Sequence, residues 1–189
     1  MFTPSPLQFL KYINFCILLI FLAVPCSGQQ TTDYKVHANI IYRFTKYVEW
    51  PENKQAGDFV IGIVGDSPLY TELSALTSNK SVGNQKIVIK KFSDNSAFYN
   101  CSILFISVEE SRNLKRIALQ TNEMPILIIT EDNGLAKKGS CINFIIIDDH
   151  LKLEINKNNI LSRNLNIASE LLKLATIVNN DVVANNLKQ

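Results

Sequence analysis

The chain has 189 residues, 19 Lys and Arg against 17 Asp and Glu, and a formal net charge of +2. That length suits one domain with a sizeable core. The near-neutral balance gives no overall electrostatic reason to seek nucleic acid.

Lys11 is the only charge before Asp33, and an apolar run from Ile13 to Val24 follows it. Pro25, Cys26, Ser27 and Gly28 come next. A positive flank, a short apolar stretch and small residues are the parts of a secretory signal. The run is shorter than the ~20 residues of a spanning helix. Residues 1–28 therefore read as a signal peptide cleaved after Gly28. A lipid anchor on Cys26 and an uncleaved anchor are the alternatives. The mature chain carries a net charge of +1, because only Lys11 is lost, and no stable membrane insertion is expected. Lys90-Lys91 and Lys137-Lys138 read as solvated strand ends and loops.

Val36, Ile40, Phe44 and Tyr47 repeat at helical spacing and predict a helix over 33–48, with Asp33 as its cap and Pro51 as its stop. Phe59 to Gly65 predicts a strand buried on both faces. Ser67-Pro68 opens a helix with Leu69, Leu73 and Leu76 inward. Strands follow at 87–92 and 103–106. Ser107 to Glu110 reads as a capping box, and a helix runs through Leu114 and Ile117. A fourth apolar strand covers 126–130, and Asn133-Gly134 is a turn. Residues 141–147 and 151–155 form a hairpin around Asp148, Asp149 and His150. A short helix covers 158–164 and a stronger one 167–178, with Leu171, Leu174, Ala175 and Val178 inward. Residues 179–189 are a polar tail. The fold class is α/β: one domain, 29–178, with a mostly parallel mixed sheet, helices on both faces and a C-terminal antiparallel hairpin.

Candidate chemistry is sparse. Gly65, Asp66 and Ser67 form a strand-to-helix turn of the kind that holds an anion or other ligand, without a GxGxxG or GxxxxGK[ST] fingerprint. Asp66, Glu131 and Asp132 stand at carboxyl ends of predicted parallel strands, where α/β ligand sites form and where caps also place acids. His37 reads as partly buried packing. With only two histidines, His37 and His150, no metal site is expected. No GxSxG elbow or recognisable nucleophile is present, so no catalytic residue and no cofactor is assigned. Tyr42, Phe44, Tyr47 and Trp50 form an aromatic cluster, either core or a partner surface.

Cys101 and Cys141 remain after cleavage. An oxidising compartment invites a bridge between them. If the strands lie in chain order, however, strand 126–130 separates the two cysteines by roughly 9.5 Å. Two free thiols are therefore predicted.

Several pieces resemble one family in order. Phe44-Thr45-Lys46-Tyr47-Val48-Glu49-Trp50-Pro51 is similar to the opening signature of the YfiR-like periplasmic proteins. So are Ile63 to Pro68, Asn100 to Ser107, Gly139 to Phe144, Leu153 to Asn156 and Ser169 to Ala175. The resemblance implies a regulator, not an enzyme. It implies a partner: the periplasmic sensing domain of an inner-membrane diguanylate cyclase, held off so that cyclic di-GMP and biofilm formation stay low. It also implies a homodimer. A histidine kinase is another membrane partner open to such relatives, and a small-solute binding module reporting to one is the alternative function. The family's repressor uses two disulfides. Here only Cys101 falls at a matching position, and Ile61 and Ile63 occupy the region of its expected partner.

Overall fold

The computed structural model describes residues 32–180, apart from 94, 95, 97 and 98. The signal segment 1–28 and most of the tail lie outside the described residues.

Helix α1 (Tyr34–Tyr47) starts where the Asp33 carboxylate accepts the backbone N–H groups of Lys35 and Val36. Its inward stripe is His37, Ala38, Ile41 and Phe44. The predicted stripe is thus turned: Val36 is 42% exposed. His37 and Ala38 carry the inward face because α1 packs on Phe144, which a purely hydrophobic pattern does not register.

Strand β1 (Val48–Glu49) follows, then a 3-10 turn (Glu52–Lys54), β2 (Phe59–Val64) and α2 (Leu69–Thr77). A small hairpin comes next, β3 (Ser81–Val82) with β4 (Gln85–Phe92). The chain continues through β5 (Ile103–Ile106), a 3-10 segment (Val108–Asn113), α3 (Leu114–Gln120) and β6 (Leu127–Thr130). A 3-10 turn (Leu135–Lys138) leads into β7 (Ile142–Ile147) and β8 (His150–Ile155). The last elements are α4 (Lys157–Leu161), β9 (Asn166–Ile167), α5 (Ser169–Leu172) and β10 (Thr176–Ile177).

The main sheet has the order β10-β8-β7-β6-β5-β2-β4-β3. The β4-β2-β5-β6-β7 run is parallel, and β7-β8 is the antiparallel hairpin. Every residue of β2, β5 and β6 is buried, so both faces of the sheet are covered. The predicted α/β class and hairpin are both found. Asp148 and Asp149, both at positive φ, make the hairpin turn.

Two expectations fail. The helix predicted over 167–178 is only α5. Ile167 pairs with Val48 in β9, Leu174 is 76% exposed, and Thr176-Ile177 extends the sheet beside β8. The β-branched Thr176, Ile177 and Val178 pack better as a strand that covers the β8 edge. The capping box also fails: Ser107 makes no side-chain cap, and a 3-10 segment takes the place of the first helical turns.

Candidate functional site

The chain passes from β2 to β4 on one side and then to β5 on the other. The carboxyl ends of β2 and β5 therefore flank the point where strand order reverses, the usual place for a ligand in such sheets. Gly65 and Ser107 are the first residues past those two ends. Gly65 holds φ +88, and a Cβ there would run into Ser107 Oγ and lie 2.7 Å from Glu110 Cγ. Ser107 thus packs close against the Gly65 backbone, with no room for a side chain there. Asp66 faces Lys91 at 3.1 Å across an exposed pair, and Ser67 Oγ accepts the Leu69 N–H. A small cavity of ≈ 330 Å³ beside them is lined by Gly65, Asp66, Lys91, Phe92, Ser93 and Glu110. Two carboxylates on that wall oppose an anion. The hydroxyl of the turn is already used as a cap.

The sequence places Glu131 one residue beyond β6, and the structure gives it partners 97 residues away. Glu131 lies under the start of α1. Tyr34 Oη donates to its Oε1 at 3.1 Å, and His37 Nε2 stands 3.8 Å from its Oε2. Both side chains of the latter pair are nearly inaccessible, at 4% for His37 and 5% for Glu131. Burial pushes the Glu131 carboxyl up to about 7, against the pull of Tyr34 and the Val108 N–H. Burial likewise lowers the His37 imidazole. His37 Nδ1 lies 3.0 Å from the Asp33 carbonyl, which assigns the proton to Nδ1 and leaves a lone pair on Nε2 facing Glu131. The neutral acid suits that lone pair. Glu131 Oε2 and Ser107 Oγ are the buried polar side-chain atoms without a hydrogen-bond partner among the described residues. Asp132 caps its own loop by accepting the Asn133 N–H.

The aromatic cluster separates into different roles. Phe44 is core, stacked on Phe144 at 6.3 Å. Tyr42 is half-buried under Lys80, whose Nζ is 4.4 Å from the ring centroid. Tyr47 accepts the Ala168 N–H through its carbonyl and so holds β9. Trp50 is half-buried, donates to the Ser102 carbonyl at 3.0 Å and meets Phe59 edge-on at 4.9 Å. It lines an open cavity of ≈ 380 Å³ together with Thr45, Glu49, Gln55 and Phe59. Trp50→Ala is expected to cost about 3 kcal/mol, the low end for a tryptophan truncation because the ring is only half-buried. Chemical denaturation reads this. Unchanged stability would place Trp50 on a partner surface instead.

A model of the YfiR/HmsC-like family matches residues 34–176. The chain belongs to this family. No curated protein matches the chain. At family level the match supports a periplasmic regulatory protein linked to a membrane diguanylate cyclase. Among the described residues no helix is long and apolar enough to cross a membrane, and no group of His, Cys, Asp or Glu is arranged to hold a metal ion.

The family-like motifs turn out to be joints of the sheet. Asn143 is fully buried: its Oδ1 accepts from Thr130 Oγ1, and its Nδ2 donates to the Asp132 carbonyl and to Glu154. Asn156 caps α4 by accepting the Asn159 N–H and donates to the Ala136 carbonyl. Such buried amides tie strands to loops and leave no group spare for chemistry.

Cys101 and Cys141 are buried and unbridged in the structure. Ile103 is level with Leu127, and Ile129 with Ile142. Continuing that register puts Cys101 level with Pro125 and Cys141 level with Ile128. The two are offset by about 10 Å along the strands and about 9.5 Å across them. They also point to opposite faces, and a bridge needs Cα atoms within about 7 Å. Burial pushes the Cys101 thiol up to about 12 and raises that of Cys141, so neither forms a reactive thiolate at neutral pH. The expected result is two thiols titrated on unfolded, unreduced protein. Titration of none before reductant and two after would restore a disulfide switch.

Proposed function

We propose that the protein is exported to the periplasm, binds the sensing domain of an inner-membrane diguanylate cyclase and holds that enzyme off. The observation that carries this reading is the family match over 34–176, nearly the whole length of the described fold. Two structural facts support a regulator over an enzyme. At the strand-order crevice the carboxylates of Asp66 and Glu110 line the small cavity and oppose an anion, and the buried amides of the family-like motifs serve the sheet. Contact with a protein partner needs surface, not a reaction centre. On this reading the cyclase stays inactive while the regulator is bound, and a homodimer is the bound form.

Export is checked by N-terminal sequencing of the protein from the envelope fraction, which should begin near Gln29. An intact Met1 in the soluble cytoplasm would overturn it. Repression is checked by deleting the gene and measuring cyclic di-GMP. The level should rise, fall again on complementation with the full chain, and stay high with a chain lacking residues 1–28. In-cell crosslinking should capture a membrane cyclase. An unchanged cyclic di-GMP level on deletion sinks the proposal.

A further inference from the structure

A groove of ≈ 520 Å³ runs between α3, the 135–138 turn and α4. Four of its lining residues are cationic, Lys115, Lys137, Lys138 and Arg163, and no Asp or Glu lines it among the described residues. Its apolar part comes from Ala118 and Leu119, and Leu119 is 69% exposed at the lip. The whole chain is close to neutral, so this is a local concentration of charge.

Arg163 is the unusual member. It is 3% exposed. Its Nη1 donates to the Thr121 carbonyl at 2.7 Å and to Thr121 Oγ1 at 3.1 Å, and its Nη2 donates to the Ala118 carbonyl at 3.1 Å. These are groups at the C-terminal end of α3, whose partial negative charge offsets only part of a full guanidinium charge. The described ion pairs give Arg163 no carboxylate. Burying a charge without an opposite charge is costly, and chains rarely retain such a group without a counter-ion. Those bonds use three of its five N–H groups and a side-chain hydrogen bond to Cys141 uses a fourth, so one donor remains.

We propose that this groove is a binding site for a small organic anion, one with a carboxylate or phosphate head and an apolar body. Lys115 and Lys138 receive the head, with the one remaining Arg163 N–H and its charge behind them. Ala118, Leu119 and the lysine stems receive the body. The volume lies within the range of small-molecule sites, ~300–1,000 Å³. The binding claim does not rest on the repressor reading: it stands on the groove alone.

Calorimetric titration of the exported chain with decanoate, inorganic phosphate and decan-1-ol tests it. Decanoate should bind saturably, at least tenfold more tightly than decan-1-ol. Lys115→Ala with Lys138→Ala should weaken it at least tenfold while leaving the melting temperature near that of the parent. Lys86→Ala with Lys90→Ala, on exposed β4 positions, should change nothing. Decanoate binding with weak phosphate binding assigns an amphiphile as the natural ligand. Phosphate binding as tight as decanoate binding would show that the apolar body adds nothing, and overturns the proposed ligand class. Absence of saturable binding by both anions overturns the proposal, as does binding that the groove variant leaves unchanged.

Discussion

Glu131→Gln should make the protein more stable at pH 8 by about 3 kcal/mol and leave it unchanged near pH 4. The folded carboxyl sits at about 7, against an ordinary value of 4.5. A raised acid holds its proton in the fold after the unfolded chain has lost it. Below pH 4.5 both states are protonated and burial carries no ionic cost. Between 4.5 and about 7 the unfolded chain ionises first, so stability falls as pH rises. Above that range the loss is complete, and it amounts to ~1.4 kcal/mol for each pH unit separating the folded from the unfolded value. Glutamine keeps the acceptor for Tyr34 and has no proton to lose. His37 gives the opposite slope: lowered from 6.5, it costs stability as pH falls below that value. The parent should therefore be most stable in mildly acid solution, and Glu131→Gln should keep only the acid-side loss. Urea denaturation across pH 4 to 8 measures both slopes. Parallel profiles for parent and variant would show that Glu131 ionises freely and that the contact with α1 is not a proton-dependent one. The location matters for a regulator of the envelope, because Tyr34 and His37 anchor the first helix of the domain.

The sheet is readable in the residues because its strands are short runs of Ile, Leu, Val and Phe set between polar turns. No other element competes for Phe59 to Val64 or Ile103 to Ile106. The C-terminal helix is misread, because Leu171, Leu174, Ala175 and Val178 satisfy a helical period by coincidence. What decides that segment is the open edge of β8, a tertiary fact. The same limit applies to the sites. Glu131 is visible as an acid after a strand, but its meaning comes from Tyr34 and His37 at the other end of the chain. Arg163 gives no signal, as a single arginine in an Asn-rich segment. Only its burial against α3 without a carboxylate sets it apart. The aromatic cluster shows the converse. Four neighbouring aromatics read as one cluster, core or partner surface, while the structure puts Phe44 in the core and Trp50 at a cavity.

Gly65→Ala should destabilise the fold by about 2–5 kcal/mol. At φ +88 a side chain costs roughly 1–2 kcal/mol in backbone strain. The new methyl would also overlap Ser107 Oγ and crowd Glu110 Cγ, an overpacking of about 1–3 kcal/mol. Gly134→Ala is the internal control. It has φ +75 and nothing within 4 Å of the added methyl, so it should carry only the strain. Ser107→Ala removes a buried hydroxyl that has no hydrogen-bond partner, so alone it should be neutral or slightly stabilising. Combined with Gly65→Ala it should recover the Ser107 share of the overpacking and leave the strain and the Glu110 contact, a coupling that a double-mutant cycle reads directly. That cycle also separates two meanings of the contact between Ser107 and Gly65. If that contact is purely a matter of packing, Ser107→Ala changes stability alone and cyclic di-GMP repression stays intact. Loss of repression by a stable Ser107→Ala protein would mean that the hydroxyl at the strand-order reversal takes part in the regulatory contact itself.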